Sequence, residues 1–281
     1  MEVFEGIDAL RNKLEELKKA GKTIGFVPTM GALHQGHCSL VQRSKSETDC
    51  TVVSVFVNPT QFNDKKDLEN YPRSFENDSK LLEKLDTDIV FFPSVKEMYP
   101  EDSNELWDFG MLDKVMEGAH RPGHFNGVAI IVKKLFDIVM PQKAYFGLKD
   151  FQQLTIIKEL VRRLKYPIEI VECEIVRDTD GLAMSSRNVL LSTEERNHAV
   201  NISKTLFHAK SKVPEMSINE IETFVVDTLN NDGLLTVEYF QIVDNVALQA
   251  VKSWNEPSIK VGCVAVKVGT IRLIDNIVFS V

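Results

Sequence analysis

The chain has 281 residues, of which 43% are hydrophobic and 26% are charged, a composition typical of a soluble globular protein with one large domain or two unequal ones. Its formal net charge of -8 argues against a broad basic surface that binds nucleic acid. An anionic substrate would have to be held by a local site. No disulfide framework, zinc knuckle, secretory signal or membrane span is indicated, so we expect a cytoplasmic protein; the widely spaced cysteines are Cys38, Cys50, Cys173 and Cys263.

The first part of the chain alternates predicted helices and strands. An amphipathic helix over residues 5–20 precedes a strand at 23–27, and a second helix begins near residue 38. A β-branched run predicts a buried strand at 51–57, followed by a helix at 74–85 and a third strand at 88–93. This βαβαβ order predicts right-handed crossovers and a parallel sheet.

A long segment, residues 94–125, is expected to be irregular and functional. A helix at 128–139 and a strand at 143–147 follow, then a second βα junction at 148–153, a helix to about 164 and a strand from 168 through 176. We therefore predict an α/β fold, in which residues 1–177 form a Rossmann-like, doubly wound parallel sheet.

The pattern changes after Asp180-Gly181. Ser192 with Glu195 and Ser217 with Glu220 predict capping boxes for helices that run to about residues 210 and 229. Strands are predicted at 236–243, 259–268 and 271–274. Residues 178–281 are therefore expected to form a smaller α+β domain.

Residues 28–37, Pro-Thr-Met-Gly-Ala-Leu-His-Gln-Gly-His, lie at the first βα junction. Such a junction offers free N–H groups and a positive helix dipole to an anion, and Gly31 and Gly36 let a phosphate approach the backbone. Protonated His34 and His37 can stabilise charge on a leaving pyrophosphate. A metal site is the less favoured alternative, because no third ligand follows at a typical spacing.

Other polar residues follow predicted strands. Lys149 and Asp150 have an ordinary interpretation as a surface ion pair, but their place at a strand end favours ligand binding. Gln61 and Gln153 also follow strands, and their neutral amides suit a substrate with hydroxyls and a carboxylate. The polar loop of Ser185, Ser186 and Arg187 is a weak signal alone, although its hydroxyls and guanidinium suit phosphate oxygens.

Seven motifs in this order resemble the pantothenate synthetase (pantoate–β-alanine ligase) family. These nucleotidyltransferases share a HIGH-type first motif, here His-Gln-Gly-His, with class I aminoacyl-tRNA synthetases. The matching segments are 28–37, 58–62 (NPTQF), 71–73 (YPR), 98–100 (MYP), 121–128 (RPGHFNGV), 145–153 (YFGLKDFQQ) and 180–188 (DGLAMSSRN).

The resemblance implies a two-step, ATP-dependent ligation. The carboxylate of (R)-pantoate attacks the α-phosphorus of Mg-ATP, giving pantoyl adenylate and pyrophosphate, and the amine of β-alanine then displaces AMP. The resemblance implies ATP and Mg2+ as cofactors and pantoate and β-alanine as the other small-molecule partners. It also implies a homodimer that binds neither nucleic acid nor a membrane. The C-terminal domain, 178–281, would be a lid over the ATP- and pantoate-binding domain.

The resemblance also implies roles for residues of this chain. The catalytic set would be His37, His34, Lys149, Ser185, Ser186 and Arg187. The ATP-binding set would be Met30, Gly31, Ala32, Leu33, His34, Gln35, Gly36, His37, Gly147, Leu148, Lys149, Asp150, Val176, Met184, Ser185, Ser186 and Arg187. Pantoate and β-alanine would contact Gln61, Gln153, Asn58 and Tyr71.

The chain departs from the family pattern in places. Leu148 stands where the family has Glu, and residues 174–178 read EIVRD in place of PTVRE. Asn77 and Asp78 fall where relatives carry an acidic run close to the metal, and no protein ligand for Mg2+ is assigned. Adenylation needs no covalent enzyme intermediate, so Cys38 is expected to be a packing residue. The alternatives are another small-molecule nucleotidyltransferase and a non-catalytic nucleotide-binding module.

Overall fold

The computed structural model describes residues 1–101 and 105–279, which form two compact units. Unit 1 comprises Met1–Phe109, Arg121–Leu148 and Ile156–Glu174; unit 2 comprises Gly110–His120, Lys149–Thr155 and Ile175–Val281. Each unit is thus discontinuous in sequence, whereas the sequence pattern indicated a single boundary between residues 177 and 178. Among the described residues, no helix combines the length and the apolar character needed to cross a membrane.

Unit 1 is built on a six-stranded sheet in which every described pairing is parallel. The strand order is β1-β4-β3-β2-β5-β6. The strands are β1 (Glu2–Phe4), β2 (Ile24–Thr29), β3 (Cys50–Val55), β4 (Ile89–Phe91), β5 (Lys143–Gly147) and β6 (Glu169–Cys173). The predicted α/β fold with a parallel sheet is confirmed.

The order places the topological switch between β2 and β5, because the chain winds one way from β2 to β3 and the other way from β5 to β6. Their carboxyl ends, at Thr29 and Gly147, lie at the same edge of the sheet. Ligands of open α/β sheets bind at this position. The motif at residues 28–37 leaves the sheet here.

Helices alternate with these strands along the chain. In chain order they are α1 (Ile7–Lys19), α2 (Gln35–Glu47), α3 (Lys65–Asn70), α4 (Phe75–Lys84), α5 (Val95–Met98), α6 (Met116–His120), α7 (His124–Val139) and α8 (Phe151–Leu164). Helix α6 belongs to unit 2, and α8 begins in unit 2 and ends in unit 1. All six residues of β3 are buried, as a strand covered on both faces requires. The three valines among them, Val52, Val53 and Val55, each contribute about 1.5–3 kcal/mol when withdrawn from water.

Unit 2 packs α9 (Thr193–Ser211) and α10 (Ile218–Asn230) on an antiparallel sheet of β7 (Leu235–Asp244), β8 (Lys260–Val268) and β9 (Ile271–Phe279). Both predicted capping boxes are present, at the starts of α9 and α10. Glu117 of α6 forms two hydrogen bonds with Arg272 of β9, at 2.6 and 2.8 Å. This ion pair ties the segment Gly110–His120 to the sheet.

Several element boundaries differ from the sequence prediction. The short edge strand β1 was not predicted, since three residues carry too little periodicity. Helix α7 begins at His124 rather than 128, so part of the expected irregular segment is helical. Strand β6 ends at Cys173 rather than 176. Strand β9 runs to Phe279, past the predicted end at residue 274.

Candidate active site

The two histidines of the first motif cap helix α2. His34 is the N-cap residue, and its Nδ1 accepts the backbone N–H of Gly36 at 3.1 Å. His37, one turn on, accepts the backbone N–H of His34 through its own Nδ1 at 3.3 Å. The ring centroids are 4.1 Å apart. The predicted βα junction with two adjacent imidazoles is therefore present in unit 1.

These contacts fix the tautomer of both rings. A nitrogen that accepts an N–H carries no hydrogen itself, so each neutral imidazole bears its hydrogen on Nε2. His34 and His37 then each provide an Nε2–H donor at the amino end of a 13-residue helix. Two such donors, together with the helix dipole, suit the oxygens of a phosphate.

The turn before His34 is held by a buried carboxylate that sequence reasoning did not assign to it. Asp78 accepts the backbone N–H of Ala32 at 2.9 Å and that of Leu33 at 2.7 Å. Burial raises the pKa of Asp78, opposed by these two hydrogen bonds. The N–H groups of Ala32 and Leu33, both predicted to bind ATP, therefore already have an acceptor within the protein. Asp78 stood in the acidic run of the family pattern, the one signal that pointed to it.

Gly31 is required by the same turn. Its φ is +78°, a conformation that side chains other than glycine rarely adopt, and a Cβ here would lie 2.9 Å from Oδ2 of Asp78. The predicted contribution of Gly31 was a close approach of phosphate. The structure adds a reason within the protein, since only glycine leaves room for the Asp78 carboxylate.

Gln61 is 8% exposed and held by neighbours from unit 1. Its Oε1 accepts a hydrogen bond from Nδ2 of Asn58 at 3.2 Å, and its Nε2 lies 2.8 Å from the sulfur of Met30. Gln61 and Met30, both predicted site residues, are thus brought together. Asn58 also donates to the carbonyl oxygen of Gly127 at 3.2 Å and accepts from Tyr99 at 2.7 Å. This geometry gives Asn58 the task of orienting Gln61.

The backbone of Gln61 rests on the segment 121–127, whose sequence motif had no assigned role. Nδ1 of His124 lies 2.8 Å from the carbonyl oxygen of Gln61. At Gly127, a Cβ would lie 2.3 Å from the carbonyl oxygen of Thr60, so a larger residue would push the two segments apart. The predicted substrate residue Tyr71 is 6% exposed and packs edge-to-face on Phe62.

The remaining predicted residues divide between the units. Gly147 and Leu148 end the β5 segment of unit 1, whereas Lys149, Asp150 and Gln153 belong to unit 2. Nζ of Lys149 lies 3.9 Å from Oδ2 of Asp150, and the Lys149 side chain is 19% exposed. The adjacent Gln152 is 4% exposed and binds the backbone of Leu112, Val115 and Glu117, which leaves Gln153 as the more accessible amide.

Two residues of β9 that were not predicted as site residues bind Lys149 and Arg177 within unit 2. Asn276 donates from Nδ2 to the backbone carbonyl of Lys149 at 2.9 Å. Asp275 accepts two hydrogen bonds from the guanidinium of Arg177, at 2.6 and 2.9 Å. The available signal is a pair of polar residues inside an apolar strand pattern, which by itself indicates the end of the strand at residue 274.

The predicted serine and arginine loop follows a narrow hairpin. The N–H of Met184 donates to the carbonyl oxygen of Val176 at 3.0 Å, which pairs two residues predicted to bind ATP. Ser185 then caps a 3-10 turn, Ser186–Leu190, by accepting the N–H of Arg187 at 3.3 Å. Ser185, Ser186, Arg187 and Met184 all lie in unit 2 and are partly exposed.

The cysteines are buried free thiols. Burial raises the pKa of Cys38, and it raises the pKa of Cys50 to about 12, of Cys173 to about 11 and of Cys263 to about 12. A protonated, buried thiol is a poor nucleophile. Among residues 1–101 and 105–279, no three His, Cys, Asp or Glu side chains cluster in a way that would hold a metal ion.

Comparison with known proteins places this geometry in a family. The family model described as Pantoate-beta-alanine ligase matches residues 2–278. A pantothenate synthetase of Bacteroides fragilis (strain YCH46) is 54% identical over 280 residues, covering 100% of this chain and 99% of the relative. That of Thermotoga petrophila is 46% identical over 282 residues, covering 100% of both.

Solved structures agree. The crystal structure of pantothenate synthetase from Thermus thermophilus superposes with a TM-score of 0.92 at 40% identity, covering 99% of each chain. A pantoate-beta-alanine ligase from Francisella tularensis, complexed with beta-gamma ATP and beta-alanine, gives a TM-score of 0.84 at 35% identity, covering 99% of this chain and 97% of that one. The chain therefore belongs to the pantoate–β-alanine ligase, or pantothenate synthetase, family.

Proposed function

We propose that this chain is an ATP-dependent ligase that condenses (R)-pantoate with β-alanine to give pantothenate, AMP and pyrophosphate. The observation that carries the proposal is the paired Nε2 donors of His34 and His37 at the start of α2, in the same unit as an oriented Gln61 amide. The family assignment and the relative complexed with an ATP analogue and β-alanine support it.

In the first step, a carboxylate oxygen of pantoate attacks the α-phosphorus of ATP, and the bond to the bridging oxygen of pyrophosphate breaks. Negative charge grows on the leaving pyrophosphate, where His34, His37 and the α2 dipole stabilise it. Gln61 and Gln153 bind the hydroxyls and carboxylate of pantoate, with Asn58 orienting Gln61 and Tyr71 lining the site. Mg2+ enters as part of the MgATP substrate and neutralises phosphate charge.

In the second step, the amine of β-alanine attacks the acyl carbon of pantoyl adenylate. The C–O bond to the phosphate breaks, AMP leaves, and the amine loses a proton. Adenylation has already turned a poor electrophile into one with a good leaving group, so neither step needs a cysteine or serine nucleophile. The work of the protein is positioning and charge stabilisation.

Unit 2 contributes the remaining proposed groups. Lys149, Ser185, Ser186 and Arg187 supply cation and hydroxyl donors for the phosphates. Lys149 is held through its carbonyl by Asn276, and Ser185 is the cap of its turn. The other nucleotide contacts are proposed at residues 30–37, Gly147, Leu148, Asp150, Val176 and Met184.

Three further properties follow from the family resemblance, and we propose them with it. Residues 178–281 act as a lid over the catalytic domain at 1–177, two chains form a homodimer, and the enzyme works in the cytoplasm. Light scattering after size exclusion tests the dimer, which requires twice the chain mass of 31.8 kDa. A mass of one chain would refute it.

The function is tested by pantoate-dependent exchange of labelled pyrophosphate into ATP, followed by product analysis with β-alanine. Exchange that requires pantoate, with pantothenate formed on adding β-alanine, supports the proposal. Exchange without pantoate would indicate another nucleotidyltransferase. A folded protein that binds ATP without exchange would indicate a non-catalytic nucleotide-binding module.

A further inference from the structure

Asp78 is a buried carboxylate that binds backbone N–H groups. It is 4% exposed, in the first turn of α4. In the part of the chain that the structure describes, its hydrogen-bonding partners near the motif are the N–H groups of Ala32 and Leu33, and no Lys, Arg or His forms an ion pair with it. Burying an unpaired carboxylate is costly, so its retention calls for a compensating role.

The compensating role lies in the turn it binds. Gly31 and Ala32 are consecutive residues with positive φ, +78° and +50°. This conformation is disfavoured for alanine, because its Cβ approaches the backbone. The two oxygens of Asp78 accept the N–H of the strained residue and that of the next one. His34, the N-cap of α2, follows directly.

We infer that Asp78 is a positioning residue that holds the strained turn at residues 31–33, and thereby places the imidazoles of His34 and His37 for the adenylation step. The inference rests on the proposed function, because the value of the placement lies in charge stabilisation on pyrophosphate. It also means that the N–H groups of Ala32 and Leu33 are supports of the site, so any contact of these two residues with ATP is made by their other atoms.

The first experiment compares four chains by pantoate-dependent pyrophosphate exchange: wild type, Ala32→Gly, Asp78→Asn and the double variant. Asparagine offers one acceptor oxygen and turns an NH2 group toward the other N–H, so Asp78→Asn should lower kcat by roughly 10- to 100-fold. The KM values for ATP and pantoate should change less, because the loss falls mainly on the transition state.

Ala32→Gly is the matched rescue. Glycine adopts positive φ without penalty, so the turn no longer depends on the carboxylate. The single variant gives the reference rate for this background, and the double variant should recover about three- to tenfold over Asp78→Asn. A double variant no faster than Asp78→Asn would overturn the inference, as would a wild-type rate in Asp78→Asn.

A Mg2+ titration separates positioning from metal binding. If Asp78 positions the turn, Asp78→Asn keeps the wild-type half-saturating Mg2+ concentration. A rise of about tenfold, with the rate restored at high Mg2+, would assign Asp78 to the metal and overturn the inference. A wild-type chain without pantoate-dependent exchange would instead refute the proposed function, and the turn is then tested by a measurement that needs no turnover.

That measurement is amide hydrogen exchange of the wild-type chain, followed by NMR, which also covers the case in which Asp78→Asn does not fold. The N–H groups of Ala32 and Leu33 should be protected without nucleotide, and MgATP should add little. Exchange at the rate of an open loop until MgATP is added would show that these donors await phosphate, which would overturn the inference.

Discussion

Nδ1 of His124 lies 2.8 Å from the carbonyl oxygen of Gln61. A carbonyl only accepts, so the ring donates from Nδ1, and its Nε2, 3.4 Å from Nη1 of Arg121, becomes the acceptor of that pair. The tautomer of His124 is therefore the opposite of that at His34 and His37. The Nδ1–H group of His124 thus donates to the backbone of Gln61, a proposed pantoate-binding residue.

Two substitutions of His124 place an amide nitrogen at different ring positions. The amide of asparagine falls near Nδ1, so His124→Asn should keep the donor and hold the KM for pantoate within about threefold of wild type. Glutamine reaches the Nε2 position and loses the contact, so His124→Gln should raise that KM about tenfold. The KM for ATP should not move in either. Equal KM values for pantoate in the two variants would contradict this role.

The same isosteric logic separates two functions of His37. His37→Asn keeps an acceptor near Nδ1 and should retain the melting temperature, yet lower pantoate-dependent exchange by at least about 100-fold because the Nε2 donor is lost. His37→Gln should keep more activity and lose about 0.5–1 kcal/mol of stability with the cap contact. Exchange kinetics and thermal unfolding of both variants test this. A large stability loss in His37→Asn would favour a structural role for that ring.

The ion pairs of Glu159 are expected to make part of the stability of unit 1 depend on pH. Its hydrogen bonds and ion pairs with Arg162 and Arg163 lower its pKa to about 2 from 4.5. A carboxyl group whose pKa is lower in the folded chain than in the unfolded chain stabilises the fold at pH values above the unfolded pKa. That contribution is lost as the pH falls from about 4.5 toward 2. After allowance for solvent screening, we expect Glu159→Gln to cost about 1 kcal/mol at pH 7.

Urea unfolding of wild type and Glu159→Gln between pH 3 and 7 measures this difference, which should shrink with acidity. Glu76→Gln is a matched control, because it removes an exposed ion pair one turn from Lys80 and should cost no more than about 0.5 kcal/mol at any of these pH values. A gap between wild type and Glu159→Gln that stays constant with pH would contradict the assignment.

Cys38 follows His37 directly and tests whether the chemistry needs a thiol. The residue is 2% exposed and burial raises its pKa, so iodoacetamide should leave it unlabelled in the folded chain at pH 8 and label it after denaturation. Cys38→Ala should retain the exchange rate within about threefold and lose roughly 1 kcal/mol of stability through the lost packing. Rapid labelling together with inactivation would refute this.

The sequence predicted the elements that carry strong periodicity. The parallel sheet and both capping boxes follow from local rules, because β3 is a nearly continuous β-branched run and Ser192 and Ser217 are each three residues before a glutamate. The family pattern then identified His34, His37 and Gln61 as candidates for one site. The structure places these three in unit 1.

Local sequence rules do not predict long-range polar contacts. Asp78 reaches Ala32 across 46 residues and Asn276 reaches Lys149 across 127, and no periodicity predicts such pairs. Asp275 looked like the end of a strand because a polar residue is usually exposed, but Arg177 satisfies it inside the fold. Asp78, Asn276 and Asp275 each hold other residues in place through hydrogen bonds, and no sequence motif indicates this role.

The ion pair of Glu117 with Arg272 has a consequence for how the chain is made. Its two partners are separated by 155 residues, so a ribosome that adds about 5–20 residues per second produces Arg272 roughly 8–30 s after Glu117. During that interval unit 2 lacks the strand that the Glu117 carboxylate binds, and unit 1 receives its last segment, Ile156–Glu174. Unit 1 can therefore complete its fold before unit 2, in which Gly110–His120 cannot be tied to the sheet by Arg272 until β9 has been made.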